Sequence, residues 1–238
     1  YWVDRYPHWV IMNFGGEFES YRKVEENLNS LRRVCRLWDE YLRKYIHRFV
    51  RMSDVMHGKV PVHDLQSAPQ EALLDEIVAN SVDSYLEYLE YCYETLTQQQ
   101  LPKVEVLDLY VTEYIDAFIS PQIFPNLACI TDHECIHSVS LDITTSFTDL
   151  RYLYLRSRFD NEAYRSATLT TLTLSFILPD PSFASVLDNV DLPALRNLWV
   201  LDSLYEQLDT YDEPPWLLLL TAIGKELQRV RLPEDEEE

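Results

Sequence analysis

Glycine is nearly missing from this chain: four residues in 238, at Gly15, Gly16, Gly58 and Gly224. None of them lies in a Gly-rich phosphate-cradling pattern, so a nucleotide enzyme of the familiar loop types is not expected. Cysteine is sparse as well. Cys35, Cys92, Cys129 and Cys135 form no CxxC pair and sit in apolar or aromatic runs, which fits reduced, buried thiols and argues against a disulfide framework. Long hydrophobic runs are lacking too. The longest, Pro214 to Ile223, falls well short of the roughly 20 residues that span a bilayer, and no signal peptide is recognisable at the start. Basic charge is in deficit: 20 Lys and Arg face 40 Asp and Glu, a net charge of −20. A field of that sign repels phosphate backbones and anionic lipid. Neither nucleic acid nor membrane is an expected partner, and the expected location is cytoplasmic or nuclear.

What is present is ample core material, with 47% hydrophobic and 13% aromatic residues, enough for a sizeable folded unit. From Tyr21 to Met52 strong helix formers carry apolar residues at three-and-four spacing, among them Leu28, Leu31, Val34, Cys35, Trp38, Leu42, Tyr45, Ile46 and Phe49. This predicts one long helix or two short ones. Pro61 and Pro69 bracket a polar, irregular stretch. A second helical pattern runs from Gln70 to Gln99, with a break near Asn80 and Ser81, opened by Ser67, Pro69 and Glu71 as start signals.

After Leu101 the texture changes to self-similar phrases: "LPKVEVLDLYV", "FPNLACITDHE", "FTDLRYLYLRS", "SATLTTLTLSF", "LPALRNLWVLD" and, more faintly, "LQRVRL". Aligning them puts Leu107, Ile130, Leu153, Leu172, Leu198 and Val230 in equivalent positions, at steps of 23, 23, 19, 26 and 32 residues. Most of these steps fall in or near the spacing of leucine-rich repeats, in which a strand per unit stacks into a parallel sheet over a continuous core. "CIHSVSLDIT", residues 135 to 144, also alternates like a strand, between two repeats. The residues flanking the strand leucines would then project together from the inner face of that sheet: Asp108, Tyr110, Thr131, Tyr154, Arg156, Thr173, Ser175, Trp199, Leu201 and Arg231. Aromatics, hydroxyls and mixed charge suit protein recognition more than catalysis, so these are the expected client-binding residues.

The stretch from Leu28 to Asp54, with Leu31, the Val34-Cys35-Arg36 phrase, Trp38, Leu42, Tyr45 and the exit "HRFVRMSD", resembles the second half of an F-box. Together with the irregular repeats, the chain looks most like the fungal family of F-box and leucine-rich-repeat proteins. That resemblance implies docking on the Skp-type adaptor of a cullin-RING ubiquitin ligase through Leu31, Val34, Cys35, Trp38, Leu42 and Tyr45, with the repeats capturing a client protein. The Leu-Pro opening and acidic first helix usual in the family have no counterpart in "YWVDRYPHWVIMNFGGEFES". Residue 1 is Tyr and not Met, so an upstream segment could complete the module. The rival reading is a stand-alone leucine-rich-repeat scaffold that binds a partner without an adaptor.

The expected architecture is therefore α/β: an incomplete F-box-like helical segment over residues 1–60, a linker and capping helix over 61–100, an irregular leucine-rich-repeat solenoid over 101–232 with its parallel sheet on the inner face, and an acidic tail over 233–238. An apolar stripe such as Leu31 to Trp38 is, by itself, also what a private core produces. His133, Cys135 and His137 alternate and would share one side of a strand, but no fourth ligand accompanies them, and no metal or cofactor is expected. No GxSxG, HExxH or lysine-bearing phosphate loop occurs, so the chain is expected to be non-catalytic.

Overall fold

The computed structural model describes residues 26–27, 29–42, 48–63, 70–74, 82–109, 119–132, 146–155, 164–176, 190–203 and 215–232. Its spine is a sheet of eight parallel strands: β1 (Arg48–Arg51), β2 (Gln70–Leu74), β3 (Val104–Leu109), β4 (Cys129–Asp132), β5 (Tyr152–Leu155), β7 (Thr171–Phe176), β9 (Asn197–Ser203) and β10 (Arg229–Arg231). Each new strand pairs with the one before it in the chain, apart from β6 (Tyr164–Arg165) and β8 (Val190–Asp191), which form a small parallel pair of their own. The described helices include α1 (Arg36–Leu42), α2 (Met52–Met56), α3 (Val82–Thr97) and α4 (Pro215–Ile223). The chain is thus mixed α/β around a parallel sheet.

Register follows from the leucines. Leu107 pairs with Ile130, Ile130 with Leu153, Leu153 with Leu172, Leu172 with Leu198, and Leu198 with Val230. The six positions aligned from the sequence therefore form one continuous row. The first five are 2% exposed or less and belong to one core with Val104, Leu109, Leu174 and Val200. Strands buried this way need apolar residues on the covered face and a tight entry turn. Three of the entries read apolar-Pro-x-apolar: the amides of Val104, Leu127 and Leu195 donate to the carbonyls of Leu101, Phe124 and Leu192 at 3.1, 3.3 and 3.0 Å. Proline presets the second position of such a turn. Leu101, Val104, Phe124, Leu127 and Leu195 are buried, so the turn also anchors two side chains in the core.

Several sequence expectations are corrected. The helix expected through Met52 does not run that far: Arg36–Leu42 is helical, but Arg48–Arg51 is the strand β1, paired in parallel with Gln70–Leu74. Gln70–Leu74 is itself a strand, so the expected helix from Gln70 to Gln99 does not start there; Val82–Thr97 is helical. Ala, Leu, Glu and Gln read as helix formers in isolation, but a strand held between partners on both sides, β1 and β3, follows its tertiary pairing instead. The helix α3 consequently connects β2 to β3 rather than closing an end of the sheet. Because the sheet begins at Arg48, divisions at 60 and 100 do not separate it from what precedes. After α2, Gly58 adopts φ +71°, and the amide of Lys59 returns to the carbonyl of Asp54 at 2.9 Å, the left-handed stop that glycine permits. Residues 135 to 144 and the tail 233–238 lie outside the described residues.

Candidate docking surface

The described chain before β1 is a broken helical segment. Residues 29 to 32 are helical, a turn follows at Arg33 and Val34, and α1 starts at Arg36. The break is braced by Arg32, whose Nε donates to Asp39 Oδ1 at 2.7 Å while a terminal nitrogen reaches Asn29 Oδ1 at 3.1 Å. Both ends of this ion pair are about a quarter exposed, with side-chain values of 28% and 26%, so it is screened less than a fully exposed pair. It links the two short helical pieces across the turn.

That geometry turns apolar side chains outward. Leu31 is 40% exposed, Val34 65%, Leu37 72% and Trp38 45%, and Cys35 is an exposed free thiol. None of the residues from 29 to 40 is buried. Among the described residues, nothing hides Leu31 or Trp38. Leu37 is an exposed apolar residue that the sequence reading did not single out; its adjacency to Trp38 in a helix start was the available signal. Leu42 ends α1, and Tyr45 lies outside the described residues.

The second candidate surface is the sheet face opposite the leucine core. Strand register puts Asp108, Thr131, Tyr154, Thr173, Trp199 and Arg231 in one row across β3, β4, β5, β7, β9 and β10. The expected inner-face residues are therefore brought together. Their exposure differs from expectation: Thr131, Thr173 and Trp199 are 3%, 0% and 9% exposed, Tyr154 is half-buried, and Arg231 is open. Neighbouring strands lie about 4.8 Å apart, so a threonine set between aromatic rings in the same row is shielded by them. Polar groups on this face satisfy one another: the hydroxyls of Tyr152 and Thr173 bond at 2.9 Å, and Asn197 Nδ2 donates to Thr171 Oγ1 at 3.0 Å. Val106, Cys129 and Tyr152 pack as a second apolar cluster with Tyr154 against it. Burial, aided by Cys129 and opposed by the Thr173 hydrogen bond, pushes the Tyr152 phenol far above its ordinary value. Ser175 and Leu201 lie in β7 and β9; Tyr110 and Arg156 lie outside the described residues.

The other sequence candidates add nothing to either surface. His133, Cys135 and His137 lie outside the described residues, and no cluster of three or more metal-ligating side chains occurs among the described ones. No described helix is long and apolar enough to cross a membrane. A shallow cavity of about 340 Å³ between the entry turns is lined by Phe147, Arg165, Ser166, Thr168, Asp191 and Pro193, among others. No family model, curated protein or solved structure matches this chain.

Proposed function

We propose that the chain is a non-catalytic substrate-recognition subunit of a cullin-RING ubiquitin ligase, docking on a Skp-type adaptor through the segment Leu31–Leu42 and holding a client protein through leucine-rich repeats. The observation that carries this reading is the exposure of Leu31, Val34 and Trp38, the residues that the F-box resemblance assigns to the adaptor. Apolar side chains clustered on a braced helical segment, and left uncovered, are what a protein-binding site requires. The in-register leucine rows support the repeat half of the proposal. Such a subunit does no chemistry; it raises the effective concentration of its client near the ligase.

Co-purification with a purified Skp-type adaptor tests the reading. Wild type is retained, and Trp38→Ala loses retention while unfolding within about 1 kcal/mol of wild type, because a side chain already half in solvent contributes little to folding. A Trp38→Ala chain that unfolds far earlier, or wild type that is not retained, would select the stand-alone repeat scaffold instead.

A further inference from the structure

One edge of the sheet is basic and open. β10 has β9 on one side and, among the described residues, no strand on the other, and its three residues are exposed. The amide of Arg229 donates to the carbonyl of Arg196, just before β9, at 3.0 Å. Peptide groups point alternately to the two sides of a strand, so the N–H and C=O of Val230 face away from β9 into the open edge. Arg229 and Arg231 stand in register with Asn197 and Trp199, on the face opposite the leucine core. Neither arginine has an ion-pair partner among the described residues.

The segment that follows is the complement of this edge. Residues 233–238 read Pro-Glu-Asp-Glu-Glu-Glu, five acids directly after a stretch, 224–232, in which Lys225, Arg229 and Arg231 face only Glu226. Proline presets the second position of a type I turn, and four-residue hairpin loops are commonly built on that turn. With Leu232 first and Pro233 second, such a loop sets Arg231 opposite Glu236, Val230 opposite Glu237 and Arg229 opposite Glu238. A loop shorter by one residue sets Asp235 and Glu237 against the same two arginines, so the charge match survives the choice of register.

We infer that the tail 233–238 folds back as an antiparallel strand on β10, closing the open edge of the sheet and covering the basic end of its inner face. An antiparallel edge on an otherwise parallel sheet is common. Directly opposite side chains share a face, so acids fall beside both arginines while Val230 exchanges its two outward backbone bonds with the tail. The net charge of −20 bears little on this contact. The tail is tethered to the same molecule whether docked or not, and charges beyond about 8 Å are screened at physiological salt; what docking changes is the distance to two arginines. A second copy is a poor occupant. Pairing β10 with β10 about a two-fold axis sets Arg229 against Arg231, and β1 would bring Arg48 and Arg51 to the same edge; like charges directly opposite destabilise. The contact is independent of the adaptor reading above. A client held on the inner face would compete with the tail for Arg231.

Hydrogen exchange at the Val230 amide of the full chain, followed by NMR, is the test. Three variants accompany it: a chain ending at Leu232, the pair Arg229→Glu with Arg231→Glu, and that pair combined with Glu234→Lys, Asp235→Lys, Glu236→Lys, Glu237→Lys and Glu238→Lys. Removing the tail, reversing the arginines or adding high salt to the full chain is expected to speed exchange at Val230 about fivefold, with the amides of β7 unchanged. The full charge swap should slow it again, which a loss of packing would not allow. Equal exchange at Val230 with and without the tail overturns the inference, as does a charge swap that restores nothing. Protection that outlives the tail and grows with protein concentration gives the edge to a second copy and overturns it too.

Discussion

At the scale of single residues, the sheet face opposite the leucine core shows how residue type and exposure part company. Threonine, tyrosine and asparagine read in sequence as surface chemistry, and the row of Thr131, Tyr154, Thr173 and Trp199 was placed correctly by repeat spacing. Its burial was not legible, because shielding depends on which rings flank each threonine across strands. Tyr152 is the residue where this can be measured. Its phenol is buried and bonded to Thr173, and burial holds its ionisation well above the ordinary value of 10.0. The unfolded chain releases that proton near pH 10, whereas the folded chain keeps it, so the stabilising contribution is fully present below pH 10 and declines as pH rises above it. Tyr152→Phe is expected to cost about 1 kcal/mol at pH 7, leaving the Thr173 hydroxyl without this partner. That deficit should narrow steadily above pH 10, because phenylalanine has no proton to lose. Urea unfolding at pH 7 and again near pH 11 gives the comparison, and a deficit constant across both would refute the buried-phenol account.

At the scale of elements, strands with turn chemistry ahead of them were readable and those without it were not. Entry phrases such as "LPKV", "FPNL" and "LPAL" combine a proline-set turn with two apolar residues packed in the core, fully buried except for the partly buried Leu192, and each precedes a strand. β1 and β2 lack the phrase; "RFVR" sits inside a helical period and "QEALL" is made of helix formers, so only pairing with a neighbour reveals them. The sequence reading allows one long helix or two short ones in the docking segment, and the structure has a break there, bridged by the Arg32–Asp39 pair. The entry to β7 uses a substitute for proline. Ser166 Oγ accepts from the amides of Thr168 and Leu169 at 3.4 and 3.2 Å, as a hydroxyl does at a helix start. Ser166 is itself buried, so Ser166→Ala strands both amides and should destabilise by about 1–2 kcal/mol. Ser166→Thr keeps the hydroxyl and should recover most of that. Equal losses in the two variants by chemical unfolding would mean that packing, not the hydroxyl, shapes the turn.

At the scale of the whole molecule, strands that pair in chain order make stability a matter of neighbours. Among the described residues, each inner strand is held by one strand on either side, while β1 and β10 have a partner on one side only. The leucine row records the consequence: Leu153 and Leu172 are 1% and 2% exposed, whereas Val230 at the end of the same row is 44% exposed, and all three residues of β10 are open to solvent. Where units touch only their neighbours, local opening starts at the ends and the centre opens last. Amides of Arg229–Arg231 should therefore exchange hydrogen much faster than those of Leu153–Leu155 and Leu172–Leu174. Core substitution should follow the same gradient. Leu153→Ala removes a buried side chain between two partners and is expected to cost about 2–5 kcal/mol and to lower protection on both sides of β5. Val230→Ala should cost under about 1 kcal/mol and alter protection in β10 and adjoining β9 alone. If Val230→Ala instead reduced protection uniformly from β2 to β10, the sheet would be opening as a single cooperative unit, and the neighbour-by-neighbour picture on which a repeat architecture depends would fail.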